Sequence, residues 1–359
     1  MLYFFSGYGL KGGLIVFPIQ ENANGRGLEI DFKSCSLLQQ KLEKQLSLYD
    51  QETQPYVISE LVKQVIRNEI IDKKIDLSLI ENFEEDERYD WILFKNCFDT
   101  SFMPLTPIND TPPENELWKI PAAILMGLIS STGHKVASYK GEMKGRLAHM
   151  VMPALNNEVY KSRSTKQLMP HTEIVNGLWP EEIFSNNAGY CIAPNVFGLA
   201  SIRNPAKCAT RVWYLEGILK SLPFSIVRDL MRPEFSTTSQ SSFDVEHNLE
   251  GVSVISQFGD RMSIRFSYSK LKGDTIRAKN ALKRLKEYLD DANNVDRLVV
   301  EPGQVLILNN RTLLHGRDDL KNDSFYDGND RWLIRMYGFS HDGWKKLPKK
   351  EHLQHVATL

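Results

Sequence analysis

Two polar signatures far apart in the chain constrain its fold more than any other feature. They are His171-Thr172-Glu173 and the run from Pro302 to Arg317, which reads PGQVLILNNRTLLHGR. A lone H-x-E step is weak, because a surface strand with solvated side chains can produce it by chance. The second run supplies His315, and two imidazoles with one carboxylate are the donor set of a facial iron site. In an extended chain residues i and i+2 share a face, so His171 and Glu173 can approach one ion together. The far side of the ion then stays open for a cosubstrate and oxygen. His171, Glu173 and His315 are therefore the candidate catalytic and metal-ligating residues.

A third stretch follows, Asp330-Arg331-Trp332-Leu333-Ile334-Arg335. In this order the three resemble the clavaminate synthase-like branch of the Fe(II)/2-oxoglutarate-dependent oxygenases. That branch is related to the taurine dioxygenase group and includes hydroxylases of free amino acids. Its motifs are H-T-E, then P-G-D-x-L-x-x-x-N-R-x-x-x-H-G-R, then D-R-W-L-x-R, and the resemblance covers most of residues 91–338. It implies an α+β fold: a double-stranded β-helix, or jelly roll, flanked by helices, with an insert that forms a lid. It also implies Fe(II), 2-oxoglutarate and O2 as cofactors and cosubstrates. By position, Arg331 and Thr210 would hold 2-oxoglutarate, and Arg335 would hold the α-carboxylate of a substrate.

The activity implied is hydroxylation of an unactivated C–H of a free amino acid or small amino-acid-derived metabolite, with release of succinate and CO2. Related halogenases carry a small residue where this chain has Glu173, which points to hydroxylation. Desaturation, cyclisation and action on a carrier-bound or peptidyl residue stay open. So does a non-catalytic jelly-roll binding protein, although decay of function should strike the ligands first. The chain departs from the family pattern in three places. Gln304 replaces the usual aspartate of P-G-D, and the segment after Glu173 lacks F-H-x-x-x-P-D-Y. The strand Arg265–Ser269 lacks the acids that arginine and lysine hydroxylases tend to carry, which disfavours a basic amino acid.

Residues 330–335 also have a reading of their own. Arg331, Leu333 and Arg335 fall on one face of a strand, with Trp332 and Ile334 on the other. With the apolar pair packed under helices, both guanidinium groups point inward. A buried arginine is costly unless an anion answers it, and its fork suits a carboxylate.

Along the rest of the chain, Gly13 to Pro18 reads as a strand, and Leu38, Leu42 and Leu46 as one face of a helix. A second helix is expected from Val57 to Ile71, and Glu81 to Asp90 reads as a solvated acidic loop. Trp91 to Phe94 is a strand, Pro121 to Thr132 an apolar helix stopped at Gly133, and Gly145 to Pro153 a strand. His149, on that strand, reads as a satisfied strand histidine rather than a fourth metal ligand. Ala188 to Ser201 is strand-like; Arg211 to Ser221 and Phe224 to Met231 read as helices. Val252 to Ile255 and Met262 to Tyr268 flank a Gly259-Asp260 turn, and Thr275 to Asn293 is an amphipathic helix. No long linker divides the chain, so 1–359 is expected to be one domain. Residues 1–132 would be scaffold, 133–210 and 252–340 the jelly-roll core, and 211–251 the lid insert.

Composition narrows the partners. The formal net charge is −1 and no long basic run occurs, which speaks against nucleic acid and anionic membranes. A small molecule, an amino acid by resemblance, is the expected partner. Cys35, Cys97, Cys191 and Cys208 show no paired spacing, so reduced thiols in a cytoplasmic protein are expected. No stretch approaches the roughly 20 apolar residues of a membrane span.

Overall fold

The computed structural model describes residues 19–21, 25–32, 39–40, 42–43, 50–51, 54–72, 75–85, 88–108, 111–153, 165–183, 191–240, 242–244, 246–321, 325–350 and 353–357. The strand expected at 13–18 lies outside these residues, as do Leu38 and Leu46 of the first expected helix. Gln39–Gln40 and Leu42–Glu43 are helical, and Leu42 is fully buried.

Two facing sheets make the core. The large one runs in the order β1 (Ile19–Glu21), β2 (Gly27–Asp31), β3 (Trp91–Lys95), β15 (Val305–Asn309), β7 (Val196–Arg203), β17 (Trp332–Phe339), β4 (Lys135–Tyr139), β19 (Leu353–Ala357), β18 (Lys349–Lys350). β5 (His149–Val151) also pairs with β17. The small sheet is β14 (Asp296–Leu298), β8 (Thr210–Tyr214), β16 (Leu313–Arg317), β6 (Leu168–His171). Its pairs are antiparallel and link segments remote in sequence. This is the jelly roll.

The central strands of the large sheet are apolar on both faces because both faces are covered. On β17, Trp332, Ile334 and Met336 join the outer core, while Leu333 and Tyr337 join the core between the sheets. The outer core is closed by α1 (Pro55–Asp72) and, after the short α2 (Ser78–Glu81), by α3 (Lys119–Ser131). Ile58, Val62, Ile66 and Ile70 recur every fourth residue on α1 and are buried. α1 and α3 approach so closely that a Cβ on Gly127 would lie 2.3 Å from Val62 Cγ1.

A third core lies behind the small sheet. It is formed by Trp213 and Leu314 with α4 (Leu215–Ser221), α5 (Phe224–Leu230) and α6 (Ile276–Asp290). Beside it, β9 (Phe235–Thr238), β10 (Asn248–Val252) and β13 (Leu271–Gly273) form a small sheet of their own. β11 (Ile255–Phe258) and β12 (Arg261–Ile264) form a hairpin around Gly259, where φ is +62°; the turn is where it was expected, but the first strand starts at Ile255 rather than Val252 and the second ends at Ile264 rather than Tyr268. A last helix, α7 (His341–Lys346), follows β17.

Four further expectations need correction. Residues 211–214 are strand, not helix: they complete β8, so the segment leaving the small sheet begins at Leu215 rather than Arg211. The strand expected over 145–153 is limited to His149–Val151; of the one expected over 188–201, residues 188–190 lie outside the described residues and the rest is strand only from Val196. The acidic stretch 81–90 is not simply solvated. Glu84 pairs with His134 at 2.8 Å, and the buried Asp90 pairs with Arg26 at 2.5 Å and accepts from Thr312.

Candidate metal centre

Sheet register brings the two histidines together. His315 on β16 lies directly opposite His171 on β6, and opposite Val212 on β8 on its other side. Directly paired residues project from the same face of a sheet. The rings of His171 and His315 stand 4.1 Å apart between centroids. Glu173 follows two residues after His171, and its Oε1 lies 3.4 Å from His315 Nε2. One donor atom from each of the three lies within 4.8 Å of the others, a set that could close on one ion.

The main chain of the loop is clamped. Asn310 Oδ1 accepts the Glu173 N–H at 2.8 Å, while its Nδ2 donates to the carbonyls of Glu173 at 3.1 Å and Pro194 at 2.9 Å. His171 Nδ1 lies 2.9 Å from the Met169 carbonyl, which can only accept, so Nδ1 carries the proton and Nε2 keeps its lone pair. Burial, reinforced by the neighbouring His315, pushes the His171 imidazole down to about 3, so it is neutral at ordinary pH. Burial would raise Glu173, but Arg335 and the two imidazoles outweigh it and hold the carboxyl well below its usual range. Two imidazole nitrogens and an ionised carboxylate suit a divalent transition ion.

The two arginines of the third stretch enter the barrel as expected but meet different surroundings. Arg335 Nη1 donates to both Glu173 oxygens at 2.9 Å, and its Nη2 reaches Glu142 Oε1 and His149 Nδ1, each at 3.0 Å. Burial would lower Arg335, but Glu173, Tyr337 and Glu142 raise it above its ordinary value. Arg331 is only 5 % exposed, and its Nε is buried without a hydrogen-bond partner. Among the described residues no carboxylate pairs with it. Burial, with the like charge of Arg317, brings it down to about 10. Thr210 on β8 is paired with Arg317 and shares the inward face of Val212 and His315; it is buried.

His149 lies opposite Arg335 on β5 and accepts from it, so it is a bonded strand histidine outside the metal group. Burial lowers its ring to about 4. Sequence reading missed Glu142 and Tyr337, both fully enclosed beside Glu173. Tyr337 could have been found, since it continues the inward alternation of Leu333 and Arg335. Glu142 stands in a turn and carries no pattern.

Comparison with known proteins agrees with this geometry. Residues 241–337, which include His315 and both arginines, match the family described as taurine catabolism dioxygenase TauD, TfdA family. The matched span holds the second and third of the three stretches that carry the resemblance, 302–317 and 330–335. A solved asparagine oxygenase, in complex with Fe(II), 2S,3S-3-hydroxyasparagine and succinate, is 19% identical with a TM-score of 0.73; the alignment covers 92% of this chain and 99% of that one. The non-heme iron oxygenase OrfP, in complex with Fe and α-ketoglutaric acid, is 18% identical with a TM-score of 0.73, again covering 92% and 99%. No curated protein matches the chain in sequence.

Proposed function

We propose that the chain is an Fe(II)/2-oxoglutarate-dependent dioxygenase that hydroxylates an unactivated C–H of a free amino acid or small amino-acid-derived metabolite, releasing succinate and CO2. His171, Glu173 and His315 would hold the iron, and Arg331 with Thr210 would hold the distal carboxylate of 2-oxoglutarate. The observation that carries the reading is Arg331. A guanidinium cannot shed its charge, and an enclosed one without an anion is costly. A carboxylate of the cosubstrate is the ligand that would complete it.

When bound, the iron with 2-oxoglutarate and oxygen supplies the oxidising power that no side chain has. This chain's residues position and enclose. Arg335 would exchange part of its hold on Glu173 and Glu142 for the α-carboxylate of the substrate, leaving Glu142 free to answer an α-ammonium. The asparagine oxygenase structure holds a hydroxylated amino acid, and OrfP has been solved with (3S)-hydroxy-L-Arg, which supports the substrate class. We read residues 1–359 as one domain and the chain between β8 and β11 as the cover of the barrel mouth. In that segment Gln240 donates to the Thr172 carbonyl at 3.3 Å and Ser242 to Glu142 at 2.7 Å. A cytoplasmic, reduced setting fits Cys97, Cys191 and Cys208, none of which is in a disulfide among the described residues. No helix among the described residues is long and apolar enough to cross a membrane.

The test is anaerobic reconstitution with Fe(II) and 2-oxoglutarate, exposure to oxygen with each of the twenty amino acids, and mass spectrometry. The expected result is succinate together with a product heavier by one oxygen. Iron-dependent succinate with no oxygenated amino acid would move the reading to a carrier-bound or peptidyl substrate. No turnover at all would favour a binding protein.

A further inference from the structure

Glu142 has no exposed surface and belongs to no motif of the chain. It stands beyond the end of β4, and its carboxylate lies beside that of Glu173 because both are held by the same donors. Arg335 gives Nη1 to Glu173 and Nη2 to Glu142, at 2.9 and 3.0 Å. The Tyr337 hydroxyl lies 3.1 Å from both Glu142 oxygens and 3.4 Å from Glu173 Oε2, and it can donate to one at a time. A third donor, the Ser242 hydroxyl, reaches Glu142 Oε1 at 2.7 Å from the β9–β10 loop.

A metal ion at the triad needs the Glu173 oxygens that Arg335 holds. Drawing them off would strand a guanidinium in a largely buried place unless another anion stood ready for it. Glu142 is that anion, already in contact. We propose that Glu142 is a positioning residue that sets the metal affinity of the centre by competing with Glu173 for Arg335. It would touch neither metal nor reacting atoms. Its charge lets one cation change carboxylate by a shift within contact distance, so that Glu173 is released to the ion without loss of charge balance. The inference rests on the reading of His171, Glu173 and His315 as the metal ligands.

The test is Co(II) binding by calorimetry, with the visible absorption of bound Co(II) as a second readout. Glu142→Gln is expected to weaken binding about tenfold, at the low end of what outer partners of metal ligands contribute. Glu142→Asp, which keeps the charge, should stay within about threefold of wild type. The decisive comparison is a double-mutant cycle: in an Arg335→Met background, Glu142→Gln should have no further effect. A loss of equal size in both backgrounds would overturn the proposal, because it would show a plain field effect of one negative charge. Should the Gln variant not fold, Ser242→Ala probes the same point with charge intact. Without that hydroxyl Glu142 leans more on Arg335, and Co(II) binding should tighten about threefold; weaker binding would overturn the proposal. A wild-type chain that fails to bind Co(II) would instead end the reading of the triad as a metal centre.

Discussion

Arg331, just before β17, and Arg335, near its middle, carry the same guanidinium into the same barrel and meet opposite surroundings. At the Arg335 end, two carboxylates, a tyrosine and a histidine already surround the cation. At the Arg331 end, the nearest charge of note is a second arginine, Arg317. A ligand anion arriving at Arg331 fills a need, whereas one arriving at Arg335 must displace a partner. On the proposed reading, 2-oxoglutarate would bind at Arg331, where it meets no competing carboxylate among the described residues, and the amino acid at Arg335, where it would displace one.

Replacing His171 by Ala should abolish turnover and Co(II) binding together, since it removes one of three donors that both ends serve. Retained turnover would leave the contrast without a centre to act on. Next come the arginines, whose loss should shift stability in opposite directions. Arg335→Met strands Glu142 and Glu173 and should cost about 3–5 kcal/mol in denaturant unfolding. Arg331→Met removes an unpaired charge and should leave the metal-free protein as stable or more so, while raising the KM for 2-oxoglutarate about 100-fold or more. Equal destabilisation by both would erase the distinction.

Acid should sharpen it further. His171 and His149, both at the Arg335 end, sit at about 3 and about 4 in the folded chain against an ordinary 6.5. Between those values the unfolded chain binds the protons, so stability falls as pH drops from 6.5 toward 4 and is unaffected by these groups above 6.5. The expected loss between pH 7 and pH 5 is on the order of a few kcal/mol, read from unfolding midpoints of the metal-free protein. A flat profile would argue that the rings are not enclosed. The smallest effect belongs to Thr210→Val, which would remove one hydroxyl donor to the carboxylate of 2-oxoglutarate. A rise of about fivefold in KM for 2-oxoglutarate, with the KM for the amino acid unchanged, is expected.

The legible parts of the chain were those whose signal is local. The inward face of β17 follows from alternation alone, and the helix expected over 57–71 is α1, Pro55–Asp72. A tie between loop and backbone at Asn309 or Asn310 also follows from residue type, and Asn310 is the one that reaches Glu173. Val212 misled because it stands three residues before Leu215 and so mimics a helix face, when in fact it faces His315 across a strand pair. The acids of 81–90 looked solvated because their partners, Arg26, His134, Arg311 and Thr312, come from distant segments. Glu142 was invisible for the same reason: nothing near it in sequence explains why a turn should hide a carboxylate.

The Asn310 amide grips the peptide groups around Glu173 and leaves its carboxylate arm untouched. Capture of an ion is thereby reduced to the swing of one short side chain against a frame already in place. The ordering of the loop is settled during folding, so the ion need not bear that entropy. Loosening this grip should slow loading and speed escape without altering a single ligand.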